Sequence, residues 1–322
     1  MSERMKLPPE KDCGFYQRRK HDKWREVAPP DPSLEGPVAD SHAHVHSLPD
    51  PAWELVRCAA NNVKFVCEIC DPSEDTLDIP DDVREWLATS ETPDLPIMRI
   101  TAGVHPHNAK LYDDEVEKLL MKWLEAPETV IVGEIGLDYH YDLSPRDVQR
   151  KVFRRQIQIA KELDMPISLH LRGGDPEPAS ESSEPPAPTY SNAHREAFEI
   201  LQEVGFPSRG TILHCCALPP GELQPWVDAG CYIAYGGTLT FKTADAAREG
   251  ARIVPADQLL LETDSPYMAP VPNRGKRNES AYVKSVAEIL AEIYDTNFDN
   301  IVLQTTKNTL KVFKKVTFFD KK

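Results

Sequence analysis

Six residues of this chain have the types and the placement of a metal site: His42, His44, Glu134, His170, His214 and Asp264. They fall in or at the ends of short apolar runs, VADSHAHV, TVIVGEIGL, PISLHL, TILHCC and QLLLETDS. Imidazole and carboxylate groups are the side chains that divalent ions take as ligands. In His-x-His, residues i and i+2 of a strand point to one face, so His42 and His44 would present two imidazoles together. Glu134 is a carboxylate inside an apolar strand, which is costly unless a cation or strong donors face it. Taken singly, the others have plainer readings, His170 and His214 as hydrogen-bonded core histidines and Asp264 as a helix cap. Together, at the ends of separate runs, they point to a bound divalent cation. His105 and His107 recur at the end of one more run, MRITAGVH.

Such residues become neighbours only if the fold brings the run ends together. Apolar runs at 38–45, 65–70, 98–105, 129–137, 166–171, 211–216, 231–237 and 258–265 alternate with amphipathic stretches such as 113–126, 146–164, 192–204, 281–294 and 299–315. That rhythm belongs to repeated strand–helix units around a parallel sheet. Eight of them fit an α/β fold of the closed (β/α)8 TIM type, in which the C-terminal ends of all strands converge around one mouth. No G-x-G-x-x-G follows the first run, as a doubly wound dinucleotide fold would require. Residues 38–322 are therefore expected to form one barrel, preceded by a polar N-terminal extension at 1–37 that ends in the proline-rich APPDPSLEGP. An acidic Pro/Ser-rich insertion at 173–192 holds no basic residue and cannot bury a core, so a flexible loop is expected there. It follows the fifth run on the side where barrels build active sites, which leaves a lid and a plain insertion both open.

The chain has 322 residues, 40% of them hydrophobic, and 52 acidic against 37 basic side chains give a net charge of −15. Such a chain repels phosphate polymers at long range, so a nucleic-acid role must rest on a local basic patch or on bound metal. No apolar run nears the roughly 20 residues of a membrane span, and the charged N-terminus lacks the apolar stretch of a secretory signal. Seven cysteines, an odd number lying mostly inside apolar runs, point to reduced thiols and a cytoplasmic location rather than a disulfide framework. Cys67 and Cys70, in FVCEIC, are read as core packing rather than as a redox or zinc pair.

In order along the chain stand D-S-H-A-H (40–44), G-V-H-P-H (103–107), V-G-E-I-G-L-D-Y (132–139), P-I-S-L-H-L-R (166–172), I-L-H-C (212–215), T-F-K (240–242), L-E-T-D-S-P-Y (261–267) and R-G-K-R-N-E (274–279). In these motifs the chain resembles the TatD-type metal-dependent deoxyribonucleases of the amidohydrolase superfamily, from about Asp40 to the last helix. The resemblance implies a two-metal centre, with His42, His44 and Asp264 on one ion, His170 and His214 on the second, and Glu134 bridging both. It implies magnesium or manganese, while histidine-rich ligation also accommodates zinc. A water activated by the pair would attack phosphorus, with Asp264 orienting it and taking its proton. His105 and His107 resemble groups near the scissile phosphate that face the substrate or stand behind the metal ligands, with a role in the V-H-P-H turn left open. Arg172, Lys242, Arg274 and Arg277 could contact phosphate or be surface charge, and for Lys276 surface charge is preferred. Glu262 is read as turned away from Asp264's face and engaged in a buried ion pair. Tyr139 and Tyr267 could stack on a base, with packing the plainer reading.

Two features depart from the family pattern: the 173–192 insertion, where relatives continue into a short loop, and Ser280, where proline is usual. The N-terminal 37 residues are also extra. The function this implies is hydrolysis of phosphodiester bonds in DNA at single-stranded or frayed ends, with DNA as substrate, no membrane, and no obligate protein partner. A small phosphate, amide or ester substrate is the alternative, and a non-catalytic scaffold binding nucleic acid or protein a third.

Overall fold

Runs of β-branched residues and longer amphipathic stretches alternate along the chain, and each becomes the element its periodicity favours in the computed structural model, which describes residues 16–18, 24–26, 37–49, 51–74, 95–173 and 192–313. The barrel strands are β1 (Val38–Ala43), β2 (Val63–Glu68), β3 (Ile97–Ala102), β4 (Thr129–Asp138), β5 (Ile167–Arg172), β6 (Thr211–Leu213), β7 (Tyr232–Tyr235) and β8 (Leu259–Leu261). Each pairs in parallel with the next in sequence. The ring closes just past β8, where the Asp264 N–H donates to His42 O at 2.9 Å and the His44 N–H to Ser265 O at 2.7 Å, around a parallel bridge from Ala43 to Ser265. The fold is the (β/α)8 barrel that the run count implies. Within the 1–37 extension, Tyr16–Arg18 and Trp24–Glu26 pair as antiparallel strands. The interior of the 173–192 insertion lies outside the described residues.

The helices are α1 (Pro51–Ala60), α2 (Asp114–Glu125), α3 (Arg146–Glu162), α4 (Asn192–Val204), α5 (Pro220–Asp228), α6 (Asp245–Ile253), α7 (Val283–Ile293) and α8 (Phe298–Val312). Asp113 caps α2 by accepting the N–H groups of Glu115 and Val116, and Asn297 caps α8 through the N–H of Asn300. Helices α1, α5 and α6 lie outside the amphipathic stretches singled out in the sequence; they are short, nine or ten residues each. In α6 a Cβ at Gly250 would meet Leu218 O at 2.2 Å, so the glycine is there for close packing against that backbone.

Strand alternation divides the core. Leu259 and Leu261 join the larger cluster shared with helix residues such as Leu290 and Trp226, whereas Leu260 joins a second one with Ala39, Phe65 and Cys67. Phe313, after α8, packs into the second cluster with its ring centroid 5.5 Å from that of Phe65. Cys67 and Cys70 are fully buried, as their reading as core residues requires, and the six cysteines among the described residues are free thiols. No helix among the described residues is long and apolar enough to cross a membrane.

Two buried polar devices tie this frame to the strand ends. On α3, Gln156 accepts the Val104 N–H at 2.7 Å and donates to Val104 O at 3.0 Å, and Gln149 likewise clasps the backbone of Asp138, at 2.8 and 3.1 Å. On β1, the Asp40 carboxylate accepts the Thr263 N–H at 2.9 Å and the Thr263 hydroxyl at 2.6 Å, fastening β1 to the segment after β8. Burial holds the Asp40 carboxyl up at about 7, against the hydrogen bonds that favour its charge. Asp40→Ala would leave two buried donors of Thr263 unpaired and is expected to cost about 2–4 kcal/mol, read as a lower urea midpoint at unchanged m-value.

Candidate metal centre

All six residues singled out as metal ligands reach one place, the C-terminal mouth of the barrel. His42, near the end of β1, is 1% exposed, and its ring stacks on that of His214 at 3.5 Å between centroids. Its Nε2 lies 3.5 Å from Glu134 Oε2 and 3.8 Å from Asp264 Oδ1, and His44 Nε2 lies 3.4 Å from the same aspartate oxygen. Glu134, on β4, turns its other oxygen the opposite way: Oε1 accepts His170 Nδ1 at 2.8 Å and lies 3.6 Å from His214 Nε2. Close approach of β4 to β5 makes this possible. Gly136, at φ 151°, passes so near His170 that a Cβ there would lie 2.0 Å from His170 O.

The remaining faces of the two far histidines rest on carboxylates. His170 Nε2 donates to Asp138 Oδ2 at 3.1 Å, an oxygen that also accepts His107 Nε2 at 2.8 Å, while Asp138 Oδ1 takes the N–H groups of His140 and Tyr141. His214 Nδ1 donates to Glu262 Oε2 at 3.0 Å, and the Cys215 N–H donates to Glu262 Oε1 at 2.6 Å. Such partners fix which ring nitrogen is left to face an ion. Glu262 is indeed in a buried pair, but directly beneath the site rather than turned away from it: β8 ends at Leu261, so strand alternation does not run through 262–264. Asp264 itself has φ 55°, a left-handed conformation that aspartate tolerates.

The electrostatics follow from four carboxylates gathered in one buried place. Burial pushes His214 down, but Glu262 and Glu134 overcome it and hold the imidazole up at about 10. His170 is likewise lowered by burial and carried up to about 9 by Asp138 and Glu134. Burial opposes the charge on Glu134 and Asp264 too, yet the surrounding imidazoles keep both below the usual carboxylate range. Of the four candidate ligand histidines only His42 is driven down, by burial and by the charge on His214.

These residues fit a divalent ion. His42 Nε2 is fully buried with no hydrogen-bond partner, aimed between two carboxylates. Two donor sets, His42–His44–Asp264 and Glu134–His170–His214, each have their ligand atoms within 4.8 Å of one another. Loss of Glu262 should loosen His214 without removing a ligand. Glu262→Gln is expected to weaken divalent-ion binding about 10–100-fold, measured by calorimetric titration of magnesium or manganese into the purified protein.

A cavity of about 600 Å³ opens above the cluster, lined by His44, His105, His107, Glu134, His170, Arg172, His214 and Asp264 among others. His105 is part of the V-H-P-H turn and also faces the cavity. Its Nδ1 accepts the His107 N–H at 3.2 Å, capping the 3-10 turn Pro106–Leu111, and its ring lines the cavity. Burial and the neighbouring His170 push it well below the ordinary histidine range, so the ring is neutral with its proton on Nε2. Of the four basic candidates, Arg172 lines the cavity and the other three do not. Arg274 covers the ring of Phe241 at 4.3 Å, Arg277 lies 3.8 Å from Glu279, and Lys242 is exposed. Lys276, exposed, donates to Asn273. Tyr139 is buried, its hydroxyl donating to Glu196 at 2.6 Å, so it faces no ligand.

A family model described as "TatD related DNase" matches residues 39–314. "Uncharacterized metal-dependent hydrolase YcfH" of Escherichia coli K12 is 32% identical over 283 residues, 86% of this chain and 95% of that one. "3'-5' ssDNA/RNA exonuclease TatD" of Erwinia billingiae is 30% identical over 219 residues, 66% of this chain and 77% of that one. Among solved structures, the Escherichia coli TatD homolog YJJV superposes with a TM-score of 0.72 at 24% identity, covering 86% of this chain and 97% of its own, which bears on the fold.

Proposed function

Since the chain belongs to the TatD related DNase family of metal-dependent hydrolases, we propose that it hydrolyses phosphodiester bonds in DNA, trimming single-stranded or frayed ends with two divalent ions. The observation that carries this reading is the Glu134 carboxylate, whose two oxygens face two separate donor sets. His42, His44 and Asp264 would hold one ion, His170 and His214 the other, and Glu134 both; magnesium or manganese suits the reaction, and zinc the histidines. Such ions supply Lewis acidity toward phosphoryl oxygens and lower the pKa of a water. Asp264, at the cavity wall, would orient that water and take its proton at a carboxylate oxygen. His105 offers a neutral Nε2–H donor to a phosphoryl oxygen, His107 is held in place by Asp138, and Arg172 brings a charged fork to the same cavity. Lys242, Arg274 and Arg277 would meet phosphates only farther along a strand.

A cavity of about 600 Å³ holds one or two nucleotides rather than a duplex, which favours ends. A net charge of −15 favours release after few cuts, since little of the chain attracts phosphate. The Erwinia relative's name pairs single-stranded DNA and RNA with 3′-to-5′ exonuclease action, and this chain is proposed to share that class of substrate. The test is a single-stranded oligonucleotide labelled at its 3′ or 5′ end, incubated with magnesium, manganese or a chelator. Stepwise shortening that the chelator stops supports the reading and gives its direction. Turnover of a phosphomonoester or acyl ester with the oligonucleotide intact would move the function to a small substrate.

A further inference from the structure

Seven large apolar side chains among the described residues are conspicuously exposed, and five of them, Tyr141, Leu143, Tyr267, Met268 and Val271, belong to the two loops after β4 and β8. Those loops flank the mouth of the barrel. Tyr141 is 52% and Tyr267 56% exposed, and both line the cavity above the metal-ligand cluster. Each touches a histidine of the site: Tyr267 meets His44 edge-on at 5.7 Å between centroids, and Tyr141 meets His107 at 5.5 Å. The guanidinium of Arg172 lies 4.6 Å from the Tyr141 ring centroid and has no carboxylate partner among the described residues.

Exposed aromatic faces grouped at the entrance of a polar cavity are not packing, and they ask for a flat apolar ligand. We propose that Tyr141 and Tyr267 form a base-stacking pair that grips the nucleobases on either side of the bond to be cut, with Arg172 holding the phosphate of the nucleotide on Tyr141. The proposal rests on the phosphodiesterase reading and names the substrate chemistry of the same site: single-stranded nucleic acid bound by its bases as well as its phosphates. Tyr267 lies beside a histidine of the metal cluster and Tyr141 beside the histidine held by Asp138, so the two rings bracket the place where a phosphate meets both. Stacking on tyrosine tolerates any sequence because every base has a π-face, and it needs the base unpaired, which excludes the interior of a duplex.

The experiment compares an oligothymidylate with the same strand carrying stable abasic residues at the two positions flanking the cleaved bond. The wild type, Tyr141→Ala, Tyr267→Ala and the two Tyr→Phe variants are assayed with manganese. The wild type is expected to show a KM about tenfold or more lower for the base-bearing strand, each alanine variant to lose most of that preference, and the phenylalanine variants to keep it. A parallel readout needs no turnover: quenching of a 2-aminopurine oligonucleotide on binding to Glu134→Ala protein, lost when Tyr141 or Tyr267 is also alanine. Equal effects of the alanine variants on both strands, or no effect on either, would overturn the stacking pair while leaving the nuclease reading standing. A wild type that cuts neither strand and does not quench the probe would overturn both.

Discussion

Glu134→Ala is expected to lower hydrolysis by at least about a thousandfold, roughly 4 kcal/mol of transition-state stabilisation, with the fold intact. The size of the effect follows from what one carboxylate does here. Its Oε2 faces His42 and its Oε1 faces His170 and His214, so a single truncation removes the oxygen that each donor set faces. It also strips the buried imidazoles of a charge that, after the cost of burial is met, helps hold His170 and His214 high. Glu134→Gln is the sharper variant, because it keeps the volume and one acceptor oxygen but cannot offer anionic oxygens to two ions. Its metal stoichiometry, measured by calorimetry, should fall from two ions toward one or none, while circular dichroism stays at the wild-type spectrum. Turnover of the alanine variant above a tenth of wild type at saturating manganese would show that Glu134 does not join the two sets.

The six ligand candidates are legible in the sequence for a simple reason: in a closed parallel barrel every strand ends at the same rim, so a polar residue at the end of an apolar run has one destination. What lies behind them is set by finer geometry. Asp138 shares the parity of Glu134 on β4, a signal that was present, but its partnership with both His107 and His170 depends on Gly136 drawing β4 onto β5 and on Gln149 holding the backbone of Asp138. Glu262 could not be placed by alternation because the strand stops at Leu261 and the chain turns through a left-handed Asp264. Tyr139 and Tyr141, two residues apart, part company for a similar reason, and Tyr141 carried no signal in the sequence. Tyr139 ends up against Glu196 and Arg150, whereas Tyr141, beyond the turn anchored on Asp138 Oδ1, swings out over the cavity. Lys242, Arg274 and Arg277 carry the right charge, but loop path rather than residue type decides which cations reach the mouth, and of the four only Arg172 is carried there by a strand.

Asp264→Asn should reduce kcat by about 10²–10⁴-fold, the range in which a positioned general base contributes. Asparagine is nearly isosteric, tolerates the left-handed backbone at φ 55°, and leaves the N–H to His42 O hydrogen bond in place, so barrel closure survives. What is lost is the anionic oxygen that His44, His42 and His214 face at 3.4, 3.8 and 4.0 Å. KM for an oligonucleotide should change little under the proposed reading, in which phosphate and base contacts elsewhere in the cavity carry binding, so the loss should appear in kcat. Coupling to Glu134 provides a second, independent reading. If the two carboxylates act as one unit on the same water, the Glu134→Ala/Asp264→Asn double variant will be no slower than Glu134→Ala alone, since the first substitution already disables the apparatus that the second would impair. Additive losses in that cycle would mean that Asp264 acts on the reaction separately from the metal cluster, as a substrate contact, and the proton-accepting role would pass to another group at the mouth.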